Sequence, residues 1–128
     1  MRDPNNPCLF CAPRAVCGRN ELAYATPDTY PVSPGHTLII PLRHCADFFE
    51  LSPDEIAACA ELLVARRKSL AQELKPDGYN IGVNVGGAAG QSVFHVHIHL
   101  IPRYRGDHPE PRGGVRHVIP QKADYPRG

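Results

Sequence analysis

The sequence has no excess of charge of either sign. Its 128 residues include fourteen Lys and Arg and thirteen Asp and Glu, so the formal net charge is +1 with neutral histidines. Binding to nucleic acid or to an anionic membrane surface usually relies on clustered positive charge. The composition therefore predicts neither partner, and an anionic ligand must be bound by a few local groups.

The sequence also lacks long apolar runs, an N-terminal leader pattern and internal repeats. A secretory signal needs a basic stretch followed by an apolar one, and a membrane span needs about twenty apolar residues. We therefore expect a cytoplasmic protein with no membrane association. The length is common for one domain, so residues 1–128 are predicted to share one hydrophobic core.

The five cysteines are an odd number, so a closed disulfide framework is excluded and reduced thiols are expected. Cys8 and Cys11, in the N-terminal segment 1–20, have the spacing of metal ligands or of a redox pair. At the other end, the proline-rich segment 102–128 predicts an extended arm, with room for a short edge strand at 113–120.

One helix is clearly predicted. It begins at Ser52, where a serine N-cap, Pro53 in the first turn and Glu55 form a capping box, and it ends at 75–78, "KPDG". Its buried stripe is predicted to consist of Ile56, Ala60, Leu63, Leu70 and Leu74.

Four segments have the composition of β-strands: 22–25, 37–41, 79–85 and 92–101. Several connections between them are short, which favours antiparallel pairing. The sequence thus predicts an α+β domain in which one main helix packs on the apolar face of an antiparallel sheet.

Residues 95–100 read "HVHIHL", with three histidines on alternate positions. In a strand this spacing puts His95, His97 and His99 on one face, opposite the apolar side chains Phe94, Val96, Ile98 and Leu100. The preceding strand divides in the same way, with Tyr79, Ile81, Val83 and Val85 opposite Asn80, Gly82 and Asn84.

Alternate strand residues are about 6.6 Å apart, so three imidazoles on one straight strand can hardly share one metal ion. Separate roles are expected, although solvated or merely hydrogen-bonded histidines are the alternative. The glycine-rich segment 86–92 allows backbone N–H groups to approach an anion, but it lacks the lysine of a P-loop.

Residues 95–101, His-Val-His-Ile-His-Leu-Ile, resemble the signature of the histidine triad superfamily of nucleotide hydrolases and transferases. The similarity extends over residues 28–44, 51–55, 77–103 and the terminal "PRGGVRHVIP". His99 is similar to the third histidine of the hydrolases, whereas the transferases have glutamine there. The resemblance implies the histidine triad fold and covalent catalysis at a nucleoside-bound phosphate.

By this resemblance, His97 attacks the α-phosphorus and forms a nucleotidyl-histidine that water then cleaves. His99 contacts the scissile phosphate and the leaving group. The remaining positions matched to phosphate or leaving-group binding are Asn84, Gly90, Gln91 and Ser92, with Ser92 also assigned to catalysis.

The resemblance also places the nucleoside. Asp28 matches the position that holds the ribose hydroxyls, and His36 a nucleoside-pocket position. Without the family, Asp28 after Pro27 is simply a turn residue. The base preference is left open.

Zinc-bearing members of the superfamily imply a structural site formed by Cys8, Cys11, His44 and His95, because two thiolates and two imidazoles suit tetrahedral zinc. The alternative is a pair of thiols that bind no metal. The family's common assembly implies a homodimer in which the sheets join and the proline-rich arm lies near the partner's pocket.

Three other interpretations stay open at the level of sequence. The arm also resembles that of phosphorylases that split diadenosine tetraphosphate with inorganic phosphate instead of water. A zinc hydrolase with two triad histidines as ligands is a second, although no carboxylate lies on the same strand. A nucleotide-binding scaffold without turnover is the third.

Overall fold

The computed structural model describes residues 8–12 and 15–126, so parts of the predicted N-terminal segment and the last two residues of the arm lie outside it. Its framework is a five-stranded antiparallel sheet. The strands are β1 (Gly18–Arg19), β2 (Ala23–Pro27), β3 (Thr37–Pro41), β4 (Gly78–Val83) and β5 (Ile98–Arg103). Their order in the sheet is β1-β2-β3-β5-β4. The prediction of an antiparallel sheet with one main helix is confirmed.

The main helix, α1, is Pro53–Glu73. Its capping box forms as predicted, because the Ser52 hydroxyl accepts from the Glu55 N–H at 3.1 Å while the Ser52 N–H donates to the Glu55 carboxylate at 2.9 Å. This arrangement satisfies two backbone donors that the first helical turn leaves without intrahelical partners.

The predicted buried stripe of α1 is wrong for Ile56, Ala60 and Leu74, which are exposed. The stripe is rotated by about one residue, because the helix turns its Glu55 side inward toward Arg43. The residues of α1 that are buried are Glu55, Cys59, Leu62 and Leu70.

Both faces of the sheet are apolar near its centre. On one face, Cys59 and Leu62 of α1 pack on a cluster formed by Ala23, Ala25, Ile39 and Ile98. On the other face, the N-terminal residue Phe10 packs against Tyr24, Leu38 and Ile40. His99, the third histidine of the motif, lies on this second face, because it pairs with Leu38 across the sheet.

The predicted strand 92–101 forms only in its second half. Before Ile98 the chain leaves the ladder, and the Val96 N–H donates instead to the Cys45 carbonyl at 2.7 Å. Consequently His95, Val96 and His97 are all buried, whereas Phe94, predicted to be in the core, is 55% exposed. Ile81 is also outside the core, at 50% exposure, because β4 is an edge strand.

The proline-rich arm is not extended, and residues 113–120 form no edge strand. Short 3-10 helices at Gly114–Val118 and Pro120–Lys122 fold it back on itself, and Ala123 is buried. The Arg112 and Arg116 guanidinium groups lie 4.5 and 4.9 Å from the centre of the Tyr125 ring. Among the described residues, no helix has the length and apolar character needed to cross a bilayer.

Candidate active site and metal centre

His97 lies at the point where the chain enters β5, and its ring is held by the backbone. Its Nδ1 is 2.8 Å from the carbonyl oxygen of His95, which can only accept a hydrogen bond, so Nδ1 carries the proton. Nε2 of the neutral ring therefore has a lone pair, and it makes no hydrogen bond to the part of the chain that the structure describes. This nitrogen is suited to nucleophilic attack without prior loss of a proton.

His99, His36 and Asp28 form a second group, which we call the acceptor cluster. Nε2 of His36 is 2.9 Å from Nδ1 of His99 and 3.4 Å from Oδ2 of Asp28. The ring centres of His97 and His99 are 5.2 Å apart, so the cluster lies beside the candidate nucleophile. The sequence places Asp28 and His36 far from His99, and only the sheet brings them together.

Burial keeps the imidazoles of this cluster neutral. Desolvation is the largest cause of the lowered pKa of His36, opposed by the nearby Asp28 carboxylate. Desolvation also lowers the pKa of His99, and the neighbouring His97 and His36 act in the same direction. At neutral pH both rings therefore act as neutral hydrogen-bonding groups and not as positive charges.

Cys8, Cys11, His44 and His95 form the metal cluster, in which four ligand atoms lie within 4.8 Å of one another. Sγ of Cys8 is 3.3 Å from Nδ1 of His95, and Sγ of Cys11 is 3.2 Å from Nδ1 of His44. Such separations are close to the edges of a tetrahedron with metal bonds of about 2.0 to 2.3 Å.

The hydrogen bond on the far side of His95 fits a metal ligand. Its Nε2 donates to the Pro41 carbonyl at 2.7 Å, so the Nδ1 lone pair faces the two cysteines. His95 is fully buried, and burial lowers its pKa. The donor set and its tautomer therefore fit zinc, held between the N-terminal segment and the histidine motif.

An apolar pocket of about 130 Å³ lies between the N-terminal segment and strands β2 and β3. Phe10 forms part of its wall and also contacts His97, with ring centres 4.9 Å apart. The Tyr24 hydroxyl fixes this wall by donating to the Phe10 carbonyl at 2.6 Å. The pocket is not predicted from the sequence, in which Phe10, the aromatic residue between Cys8 and Cys11, is the one indication of an apolar surface here. Its lining includes Leu9, Phe10, Ala15, Tyr24, Pro27 and Leu38.

A larger groove of about 410 Å³ opens beside His36 and His99 of the acceptor cluster. His36, His99 and Asn84 line one wall, and Val115 and His117 of the arm line the opposite wall. The groove is thus lined by two residues of the acceptor cluster, and the apolar pocket by Pro27 and Thr29, the chain neighbours of Asp28.

The glycine-rich segment is anchored by Gln91, whose side chain is buried. Its carbonyl accepts from the Gly86 N–H at 2.8 Å, and its amide donates to the Ala46 carbonyl at 2.8 Å. Both ends of the side chain thus hold the loop in place. Gly90, at φ +95°, and Ser92 are exposed.

The HIT domain family matches residues 11–106, and the chain belongs to this family. The solved structure of a HIT family protein from Bacillus anthracis is 34% identical, with a TM-score of 0.75, and the match covers 80% of this chain and 77% of that one. A zinc-bound histidine triad family protein from Mycobacterium smegmatis is 32% identical, with a TM-score of 0.72 and coverage of 91% and 94%.

Relatives with named activities are also similar. An AP-4-A phosphorylase of Mycobacterium tuberculosis is 33% identical over 121 residues, which are 83% of this chain and 60% of that protein. An adenylylsulfatase of Arabidopsis thaliana is 35% identical over 108 residues, covering 80% of this chain and 55% of the plant protein. The chain is thus similar to HIT family proteins that process nucleotides.

Proposed function

We propose that the protein is a nucleotide hydrolase that cleaves at the α-phosphate of a dinucleoside polyphosphate or a nucleoside phosphoramidate. The observation that carries this proposal is the hydrogen bond from His97 Nδ1 to the His95 carbonyl, which leaves the Nε2 lone pair for attack. Relatives named for phosphorylase and sulfatase activity on adenylyl compounds support the substrate class.

The proposed reaction has two displacements. Nε2 of His97 attacks the α-phosphorus, the N–P bond forms, and the bond to the leaving group breaks with its electron pair going to that group. Water then attacks the same phosphorus and loses one proton to the solvent, while the N–P bond breaks with its electron pair returning to Nε2. The products are a nucleoside monophosphate and neutral His97, still protonated on Nδ1. The His95 carbonyl offsets the positive charge that the imidazole carries in the intermediate.

The apolar pocket is proposed to bind the base, since it is small, lined mainly by apolar side chains, and shares Phe10 with the surroundings of His97. Asp28 follows directly after Pro27 of the pocket wall and is proposed to accept hydrogen bonds from the ribose hydroxyls. The groove beyond His99 then receives the leaving group. Asn84 and Ser92 are proposed to bind phosphate oxygens, and Gly90 to allow close approach of the backbone. Gln91, which the family resemblance matches to phosphate or leaving-group binding, is proposed instead to position the loop, because its buried side chain is hydrogen-bonded at both ends.

Zinc is proposed to bind at the metal cluster, where it would tie Cys8 and Cys11 to His95. Because Phe10 lies between the two cysteines, zinc would also fix the wall of the apolar pocket. The role is structural, and no reaction step passes through the metal. A reducing compartment such as the cytoplasm, the predicted location, keeps both thiols available for metal binding.

A homodimer joined at the β4 edge is also proposed. β4 is at the end of the sheet, its Ile81 is half exposed, and α1 presents Ile56 and Val64 outward. Light scattering of the wild type should give twice the chain mass at micromolar concentration, and Ile81→Lys should give the monomer. Val16→Lys, at the opposite edge of the sheet, is the matched control, and a monomeric wild type would contradict the dimer.

The hydrolase proposal is tested by trapping the intermediate. The protein is mixed with diadenosine tetraphosphate or an adenosine phosphoramidate, quenched in alkali during turnover, digested and examined by mass spectrometry. One adenylyl group is expected on His97, and none in the His97→Ala protein, whereas the exposed His108→Ala control should be labelled like the wild type. A label on another residue, or turnover with no label and no burst, would overturn the mechanism.

A phosphorylase is the second candidate, favoured by the similarity to the mycobacterial AP-4-A phosphorylase. In that reaction a phosphate oxygen, not water, attacks the nucleotidyl-histidine. The product is then a nucleoside diphosphate in place of the monophosphate. Chromatography of products formed with and without inorganic phosphate distinguishes the two acceptors, and binding without any turnover would favour a scaffold.

A further inference from the structure

His36 is hydrogen-bonded on both of its ring nitrogens, and the order of these bonds fixes its tautomer. The backbone N–H of Val32 donates to Nδ1 of His36 at 3.0 Å. An amide N–H can only donate, so Nδ1 must carry a lone pair. A neutral His36 therefore has its single ring proton on Nε2.

The proton on Nε2 of His36 in turn determines the state of His99. Nε2 of His36 is 2.9 Å from Nδ1 of His99, and the Asp28 carboxylate oxygen is farther away, at 3.4 Å. Nδ1 of His99 therefore accepts a hydrogen bond and cannot carry a proton in the same arrangement. The single proton of a neutral His99 is then on Nε2, the nitrogen that makes no bond to any described residue.

The backbone around His36 leaves its ring little freedom. Gly35 has φ +90°, and a Cβ there would lie 2.9 Å from a methyl carbon of Leu70, so the turn that presents His36 depends on glycine. The Asp28 N–H donates to the His36 carbonyl at 2.9 Å, which continues the β2–β3 ladder. The His36 side chain is only 3% exposed, and β5 places His99 opposite Leu38.

We propose that His36 is a positioning residue that holds His99 with its proton on Nε2, directed to the groove that receives the leaving group. In this tautomer His99 donates a hydrogen bond to the departing atom as negative charge develops on it. In the other tautomer, a lone pair of His99 would face the lone pairs of that atom, and the two would repel. Val32 acts through its backbone amide, at the start of the chain of hydrogen bonds.

The tautomer can be measured directly by ¹⁵N NMR of the imidazoles at pH 8, without substrate. In the wild type, His99 should show a protonated Nε2 and an unprotonated Nδ1. His36→Gln should preserve this state, because one amide group can accept from Val32 and donate to His99. An ionised His36→Glu side chain only accepts, so it should move the His99 proton to Nδ1. A wild-type His99 with its proton on Nδ1 overturns the proposal even if neither variant folds, and so does an unchanged His99 tautomer in a folded His36→Glu protein.

A second readout concerns the leaving group and rests on the proposed hydrolase function. His36→Glu should reduce kcat with poor leaving groups by about 100-fold and with good, low-pKa leaving groups by less than about 10-fold. His36→Gln should restore most of the rate. The pair His108→Gln and His108→Glu, at an exposed histidine of the arm, controls for a general effect of charge.

Failure of the proposed hydrolase function and failure of the proposed role of His36 give different results. A wild-type protein without turnover contradicts the proposed function, while the NMR measurement still tests the tautomer. An equal loss of rate for all leaving groups in His36→Glu, together with an unchanged His99 tautomer, would mean that His36 acts only as a packing residue.

Discussion

The metal cluster and the acceptor cluster each contain two histidines, but His95 and His36 make opposite kinds of hydrogen bond to the backbone. In the metal cluster, Nε2 of His95 donates to a carbonyl, which leaves Nδ1 unprotonated toward the thiols. In the acceptor cluster, Nδ1 of His36 accepts from an amide, which leaves a proton on Nε2 toward His99 and Asp28. Both groups bring their ligand atoms within 4.8 Å of one another, so proximity does not separate them.

A metal ion needs an unprotonated imidazole nitrogen, and a ligating histidine donates its other N–H to an acceptor. His95 meets both conditions. His36 meets neither, since metal at its Nε2 would force a proton onto Nδ1, against the N–H of Val32. Asp28 supplies near the triad the carboxylate that a zinc hydrolase would need. The hydrogen bonds of this cluster, however, put a proton on Nε2 of His36, the nitrogen that a metal ion would need unprotonated.

His97 lies between the two clusters, and its removal should have the largest effect. His97→Ala is expected to reduce turnover by about 1,000-fold or more, with nucleotide affinity changed only a few-fold, because the covalent path is lost while both clusters persist. Steady-state kinetics and equilibrium binding of a nucleoside monophosphate measure the two quantities. Near wild-type turnover in a folded His97→Ala protein would mean that neither cluster serves a histidine nucleophile.

Disruption of the metal cluster should come next and should affect stability more than chemistry. If zinc binds, chelation or the double change Cys8→Ser and Cys11→Ser should lower the free energy of unfolding by about 3 kcal/mol, the linkage expected at a hundredfold excess of metal over Kd. Nucleoside binding should weaken too, since Phe10 lies between the cysteines. The matched control is His36→Gln, which should keep its zinc.

The zinc content of the purified protein, measured by elemental analysis, tests whether the metal cluster binds zinc. Protein purified without chelator should contain about one zinc per chain, and less than about half an equivalent would favour thiols without metal. Zinc retained in full by the double cysteine variant would place the metal elsewhere, and the contrast between the two clusters would then be wrong.

Glu55 offers a smaller effect, on the segment that carries His44. Its carboxylate accepts from Arg43 at 2.8 and 3.0 Å, and these bonds, with the Ser52 N–H, lower the pKa of Glu55 from 4.5 to about 2. A lowered folded-state pKa means that the contribution is complete above pH 4.5 and is lost as the pH falls toward 2. Glu55→Gln should therefore cost about 1 to 2 kcal/mol at pH 7, with a smaller difference from the wild type at pH 3.

Chemical denaturation at both pH values measures this difference, and Glu61→Gln, exposed on the same helix, is the control. An equal cost at pH 7 and pH 3 would show that the Glu55 charge contributes nothing to the fold. Unchanged zinc content in Glu55→Gln would show that the metal cluster does not depend on the Arg43–Glu55 ion pair.

Period-two alternation predicted the sheet well where hydrogen bonds continue and failed where they stop. His99 lies opposite Ile98 and Leu100 as expected, because all three are in β5. The same rule failed at Phe94 because residues before Ile98 leave the ladder for Cys45. The break also separates the imidazoles: His95 turns to the metal cluster while His97 and His99 remain neighbours.

The capping box and the histidine motif are local patterns, so the sequence was enough to place them. The meeting of Asp28, His36 and His99 depends on strand register and on the turn at Gly35, neither of which periodicity encodes. The hydrogen bond from Val32 to His36 could not be predicted from residue types either, because its donor is a backbone amide, which every residue except proline has. For the same reason the apolar pocket, formed by an irregular N-terminal segment against β2, was not anticipated.

The smallest expected effect is at Ser92, at the end of the glycine-rich segment 86–92. Ser92 is exposed, whereas the buried Gln91 beside it makes all the loop-anchoring hydrogen bonds described for this pair. If Ser92 supplies one of several contacts to a phosphate oxygen, Ser92→Ala should reduce kcat/KM by less than about 10-fold, without a change in stability. Gln91→Ala should instead lower the free energy of unfolding, because it leaves the Gly86 N–H and the Ala46 carbonyl without their partner. Steady-state kinetics and thermal melts of the two variants measure the difference. With poor leaving groups, a larger rate loss for Ser92→Ala than for His36→Glu would mean that Ser92, and not His99, makes the main contact to the leaving group.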